Sequence, residues 1–427
     1  MLKSRIFAAG LSLLLVCTVT GCSKIDNSEE AAAPAMVEHL EGASSSDNPG
    51  MDGTVAREEA TIATVPQIGG EFRVIAVGDN LVQKSVYNSA AANTVGDEAY
   101  NFDFCYEGVK DIISQGDISI IDQETLICDN PDIEITGSDF NFNSPAEVGP
   151  AVMRAGFNVV SMSNNHLLDK GITGLESCMD YWDQMLVDYP DLTVYGVYRD
   201  EADMNNIRIR EVNGVKVAFL AYTENTNGYS VPEDSKIQII YTSEEELIKS
   251  QIEAANEIAD VVIVSAHWGV EDTFEVTDGV KAQAKNMVNW GADVIIGCHT
   301  HTPQTMEYLT RDDGTQGFVF YSLGNFISAQ TYNINLIGEI ADFKMVLDSD
   351  GSVTVEDVMV HPVITQYDDG YLSNLRLVAY RDYTEELCNA HGLPYAMSDP
   401  YYAEWNMERI KEIIDTAIPA EYQKLDY

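Results

Sequence analysis

Apolar runs alternate with amphipathic stretches along most of this chain, and almost every apolar run stops at a cluster of polar side chains. The runs at 72–77, 118–121, 159–162, 215–222, 261–266, 294–296 and 318–321 are short and rich in Val and Ile. Runs of this kind read as strands buried on both faces. Between them, residues 146–155, 175–186, 244–259 and 280–290 carry apolar side chains at helical spacing. The alternation predicts an α/β fold. After about residue 338 the pattern changes. Residues 342–347 and 352–359 read as strands around the turn Asp348-Ser-Asp-Gly351, and 404–417 as a closing helix. The turn lacks the third acidic position and the distant Glu of a calcium loop, so a hairpin is expected.

The polar clusters fall at the carboxyl ends of the strand candidates, which is where open α/β sheets bind ligands. Residues 72–77 run into Gly78, Asp79 and Asn80, and 118–121 into Asp122, Gln123 and Glu124. Residues 159–162 run into Ser163, Asn164, Asn165 and His166, with Asp169 close behind. Residues 261–266 run into His267 and Trp268, 294–296 into Gly297-Cys-His-Thr-His301, and 318–321 into Ser322-Leu-Gly-Asn-Phe326. The chain has seven histidines, and His166, His267, His299 and His301 all follow strand candidates. His299 and His301 would point the same way in an extended segment, as half of a metal site. Exposed loop histidines are the alternative. Each of the other residues also has a plainer reading: Asp79 as a helix cap, Glu124 as a surface carboxylate, His166 and His267 as satisfied structural side chains. Converging on one sheet edge, however, Asp, Glu, Asn and His make a mixed oxygen/nitrogen site. That donor set suits Mn, Fe, Zn or Co better than Ca or Mg.

Acidic residues number 69 against 24 basic, a net charge of −45. This balance argues against nucleic acid as a partner and against docking on anionic lipid through basic patches. At the N-terminus, Lys3 and Arg5 precede an apolar stretch, 6–19, that is short for a membrane span. It ends in Val19-Thr-Gly-Cys22, which resembles the bacterial lipobox. The expectation is a signal over 1–22 cut before Cys22, lipidation of Cys22, and attachment to membrane lipid outside the cytoplasm. A plain secretory signal is the alternative. Residues 23–66, rich in Ala, Ser, Glu, Asp and Gly, read as a flexible acidic tether. Cys105, Cys128, Cys178, Cys298 and Cys388 are scattered and make no CxxC pattern. They are expected to be small buried residues rather than disulfides or zinc ligands.

The ordered motifs resemble those of the calcineurin-like metallophosphoesterase superfamily and, within it, the capsule-biosynthesis CapA family, linked to poly-γ-glutamate. The most specific piece is Ala155-Gly-Phe-Asn-Val-Val-Ser-Met-Ser-Asn-Asn-His-Leu-Leu-Asp-Lys-Gly171. His267-Trp-Gly-Val-Glu271, Gly297-Cys-His-Thr-His301 with Gln304, and Tyr321-Ser-Leu-Gly-Asn-Phe326 follow in the family's order, and the match runs from about 72 to 327. The resemblance implies an α/β sandwich of two mixed sheets flanked by helices, over 67–338, with 339–427 as a hairpin and helix packing on the same domain. It implies one or two metal ions. Asp79 and His301 would bind the first, Asn165, His267 and His299 the second, and Glu124 would bridge them. His166 would act as proton donor or transition-state stabiliser, oriented by Asp169, in hydrolysis at a phosphorus or carbonyl centre. The superfamily's first motif is Asp-x-His, and here Leu81 stands where the histidine belongs. Asp122 replaces an Asn usual in the capsule family, and Glu124 an aspartate. If one metal position is weak, it should be the one at His301. The implied role is in making or exporting poly-γ-glutamate or another surface polymer, with a synthase complex and an anionic polymer as partners. The rival roles are a catalytically degenerate polymer-handling subunit and a solute-binding lipoprotein.

Overall fold

The computed structural model describes residues 69–94, 96–138 and 141–426. The expected signal, the acylated Cys22 and the tether 23–66 lie outside the described residues. Among the described residues, no helix is long and apolar enough to cross a membrane.

The strands, in chain order, begin with β1 (Gly70–Asn80), β2 (Ile118–Asp122), β3 (Thr136–Ser138), β4 (Asn141–Asn143), β5 (Val159–Ser161) and β6 (Thr193–Tyr195). Next come β7 (Arg208–Val212), β8 (Val215–Thr223), β9 (Val261–His267), β10 (Val294–Cys298) and β11 (Pro303–Thr310). The last are β12 (Gln316–Leu323), β13 (Asn325–Ile327), β14 (Ile337–Leu347), β15 (Val353–Gln366) and β16 (Arg376–Ala379). One sheet has the order β16-β15-β14-β1-β2-β5-β6, with β13 against the end of β1. Its β1, β2, β5 and β6 are parallel neighbours, and β14 runs antiparallel to β1. The second sheet, β11-β12-β10-β9-β8-β7, is parallel from β12 to β8 and antiparallel at both edges. The expected architecture of two mixed sheets with helices is therefore what the chain adopts.

The apolar runs are continuous because the strands have a core on each face. In β8, Val217, Phe219 and Ala221 join the large core that also takes in the first sheet. Alternate residues Ala218, Leu220 and Tyr222 pack in a second core with Ile248 and Ile252, and with Val280 and Met287. These belong to the helices Glu245–Ile258 and Asp278–Trp290, so the second core lies under the helical layer. The latter helix starts where Thr277 accepts a hydrogen bond from the Val280 N–H, 3.2 Å away. It ends at Gly291, whose φ of +117° only glycine adopts without strain. That stop delivers the chain into β10.

Six of the seven strand candidates fall within observed strands, and 159–162 overruns β5 by one residue, Met162. The strands not foreseen, β6, β7, β11, β13, β16 and the β3–β4 pair, are short or lie toward sheet edges. Around the hairpin at Asp348–Gly351, β14 and β15 run further back than their sequence candidates, to Ile337 and Gln366. β14 lies beside β1 in the middle of the first sheet.

His391 gives the fold an acid-sensitive point. Its Nε2 donates to the Thr365 carbonyl and its Nδ1 accepts from the Leu393 N–H, each 3.0 Å away. Protonation would set N–H against N–H at Nδ1, and burial pulls the pKa down to about 4. A histidine depressed in the folded state leaves stability intact above its unfolded pKa and lowers it as pH falls. Unfolding free energy should decline between about pH 6.5 and 4 by roughly 3 kcal/mol from this group. Denaturant titrations of the protein and of His391→Gln across that range should show a shallower decline in the variant.

Candidate metal centre

Asp79 sits where β1 breaks its regular pairing. The register shifts between Val77 and Asp79 against β2, and between Asp79 and Asn80 against β13. A break of this kind re-aims a side chain. Gly78 makes it possible, because a Cβ there would lie 1.9 Å from the Gly324 carbonyl oxygen. Asp79 can thus reach across to the loop after β10. Its Oδ1 accepts from the His299 N–H at 3.0 Å, and its Oδ2 lies 3.1 Å from His301 Nδ1.

That loop is not an extended segment. β10 continues through Gly297 to Cys298, after which His299 and His301 take φ values of 98° and 57°. Left-handed backbone at two bulky residues is strained and persists only where surrounding contacts hold it. The segment is turned rather than extended, yet both imidazoles enter the same cluster, with ring centroids 6.3 Å apart and each facing a different neighbour. His299 Nδ1 lies 3.1 Å from His267 Nε2, while His301 Nδ1 lies 3.1 Å from both Asp79 Oδ2 and Asn325 Oδ1.

All eight proposed metal and catalytic residues meet between the strand ends. Asn165 Oδ1 is 3.0 Å from His267 Nε2, and its amide nitrogen is turned away toward Asn227 Oδ1. Glu124 Oε1 is 3.8 Å from both His166 Nε2 and His267 Nε2, and Glu124 Oε2 is 4.0 Å from His301 Nδ1. Neighbouring ligands about 2.1 Å from one ion lie about 3 Å apart, as His267 Nε2 does here from Asn165 Oδ1 and from His299 Nδ1. Two lone-pair atoms, Asn165 Oδ1 and His299 Nδ1, face His267 Nε2, and one proton cannot satisfy both. Glu124 spans the two groups of ligands, with neither oxygen hydrogen-bonded and the side chain 1% exposed. A carboxylate buried in this way is neutralised either by a proton or by a cation, and a cation there would be shared by the ligands on both sides of it. The residues present therefore fit a divalent metal.

The electrostatics agree. Burial pulls His267 down to about 3, and burial with the neighbouring His267 pulls His299 down to about 2. Both rings are thus neutral, the form that ligates metal. Burial and the Asp79 charge push Glu124 and Asp122 well up. Burial would also raise Asp79, but the hydrogen bond and charge of His301 outweigh it and hold it below the usual range. Burial pushes the Cys298 thiol well up, so it stays neutral beside the site as expected. The five described cysteines are all buried and unpaired.

His166 is held from both sides. Its Nδ1 lies 2.8 Å from Asp169 Oδ2, which also accepts from the Phe142 N–H at 2.9 Å. The Phe142 ring meets the imidazole edge-on at 4.6 Å. Three side chains here were not assigned from sequence. Asn325 stands in a quoted motif, and its amide nitrogen donates to Gln330 and to the Asn335 carbonyl, which leaves Oδ1 to face His301. Asp122 Oδ2 lies 3.1 Å from His267 Nδ1, and the strand-end position was its signal. Asn227 comes from the loop after β8 and carried no signal.

Two mixed sheets with Asp, Glu, Asn and His converging at their strand ends define an α/β sandwich built around a candidate metal centre. Residues 73–330 match the family described as "Bacterial capsule synthesis protein PGA_cap", and the chain belongs to that family. It is 27% identical over 282 residues to "Capsule biosynthesis protein CapA" of Bacillus anthracis, covering 65% of this chain and 64% of that protein. It is 27% identical over 206 residues to "PGA biosynthesis protein CapA" of Bacillus subtilis, covering 48% and 51%. The matches thus span less than two thirds of these relatives' length. Among solved structures, the NAD nucleotidase of Haemophilus influenzae aligns with a TM-score of 0.43 at 13% identity, covering 81% of this chain and 59% of that one.

Protein purified without chelator should carry at least one transition metal by elemental analysis. Glu124→Gln should weaken metal affinity more than about tenfold. A protein without metal, or a variant with unchanged affinity, would remove the assignment.

Proposed function

We propose that this chain is a membrane-anchored, extracytoplasmic capsule-related protein with a metal-dependent hydrolase-type site, acting in biosynthesis or export of poly-γ-glutamate or another surface polymer. Glu124 is the observation that carries the site reading: a fully buried carboxylate, both oxygens without hydrogen bonds, set among His166, His267 and His301. A purely structural cluster has no use for it. A divalent ion held by Asp79, Glu124, Asn165, His267, His299 and His301 would supply Lewis acidity at a phosphorus or carbonyl centre. His166 presents Nε2 to that centre, while Asp169 at Nδ1 fixes the ring. In this arrangement His166 holds a proton at Nε2 and delivers it to the leaving oxygen. Phe142 covers the ring and limits access of water. The printed names of the two Bacillus relatives support the capsule setting.

A net charge of −45 repels a polyanion. Cations are therefore the natural intermediary between this surface and a polyglutamate chain. A cavity of about 680 Å³ along the helix Gly171–Asp188 is itself acidic, lined by Asp129, Glu147, Glu176, Asp180 and Asp188, and borders none of the metal-site residues. The second reading is a catalytically degenerate, polymer-handling subunit of a membrane synthase. It rests on Leu81, a buried hydrocarbon where the first motif's histidine would stand.

His166→Ala should leave metal content intact and lower hydrolysis of a phosphodiester or γ-glutamyl substrate by about 10²- to 10⁴-fold. Equal activity in the variant removes His166 from the chemistry, and absence of any hydrolysis in the parent favours the second reading. Cys22→Ser should move the protein from the membrane fraction to the soluble fraction, which immunoblotting of fractionated cells checks.

A further inference from the structure

His267 uses its two ring nitrogens on opposite sides. Nε2 faces Asn165 Oδ1 and His299 Nδ1, the proposed ligands of one ion. Nδ1 faces Asp122 Oδ2 at 3.1 Å. The two residues come from different sheets, Asp122 from the end of β2 and His267 from the end of β9. Asp122 is 3% exposed, and its other oxygen, Oδ1, has no hydrogen bond. We propose that Asp122 is a positioning residue for the metal centre: it locks His267 into the form with the proton on Nδ1, so that the Nε2 lone pair faces the ion. This rests on the reading of the cluster as a metal site.

The chemistry of the side chain decides the point. With a cation bound beside it Asp122 would be ionised, and an ionised carboxylate only accepts hydrogen bonds, so the ring nitrogen facing it would carry the proton. An amide in the same place can accept through oxygen or donate through nitrogen, and the second orientation would put the ring proton on Nε2, against the ion. A carboxylate behind a ligating imidazole also makes the ligand more basic. Asp122 further ties the two sheets together at the site, because its bond to His267 joins residues 145 apart in sequence. Asp79 and Asp122 are register partners on β1 and β2, so two adjacent strand ends each send a carboxylate across to a histidine, His301 in the loop after β10 and His267 at the end of β9.

The test uses the full chain and Zn²⁺ alone as the probe. In the Zn²⁺-loaded protein labelled with ¹⁵N-histidine, His267 should show a proton on Nδ1 and ligation through Nε2. Asp122→Asn and Asp122→Ala should weaken Zn²⁺ affinity, measured by chelator competition, by about 10- to 100-fold. The His267 Nδ1 proton resonance should shift or vanish in both. A parent spectrum with His267 ligating through Nδ1 overturns the proposal without needing any variant to fold. Unchanged Zn²⁺ affinity and an unchanged His267 resonance in both variants also overturn it, while leaving the metal site in place. A parent protein that takes up no Zn²⁺ removes the metal reading and this proposal together.

Discussion

Asp79 is the interaction on which the site depends. One carboxylate accepts the His299 backbone N–H and contacts the His301 ring, joining the end of β1 to the loop after β10. The joined residues are about half the chain apart in sequence. With the Thr300 hydroxyl, which bonds to the Thr302 carbonyl and to Ser322, this anchor holds two left-handed histidines, a conformation that costs of order 1–3 kcal/mol per residue. The anchor itself requires Gly78, since a side chain there would collide with the Gly324 carbonyl. Backbone crowding, a strand irregularity and a buried charge thus act as one device, and its product is the separation of His299 from His301.

The site is a charge problem before it is a catalytic one. Asp79, Asp122 and Glu124 are buried together, and their ion-pair partners are histidines. Burial makes His267, one of those partners, and its neighbour His299 poor carriers of positive charge. Only Asp79 is hydrogen-bonded to a ring whose pKa is raised, that of His301, whereas Asp122 and Glu124 are unstable as anions in a dry interior. A divalent cation resolves the conflict for the acids and the rings at once, because it needs oxygen anions and neutral imidazoles. The same logic gives Asn325 a purpose. Leu81 brings no donor to the first metal position, and Asn325 turns an oxygen toward His301 from the neighbouring strand.

Much of this was legible because strand burial and strand-end polarity are local signals. Val261–His267 is a buried run with a histidine at its end whether or not the rest of the chain is known, and the same holds at β2, β5 and β10. Edge strands such as β7 and β11 were missed because alternating or mixed exposure weakens the apolar run. β14 was read only in part, since a strand inserted beside β1 from the far end of the chain leaves no local trace of its neighbour.

The sequence by itself determined the α/β class, the seven central strands, the residues that carry the site and the family to which the chain belongs, because composition and periodicity act over a few residues. The tertiary structure decided how those residues divide. Whether His299 and His301 share a face depends on backbone angles that Asp79 imposes from another sheet. Whether Asp122 is an incidental strand-end acid or the partner of His267 depends on two packed sheets bringing the ends of β2 and β9 together. Hydrogen bonds between distant strands have no sequence period, so only the packed molecule could show them.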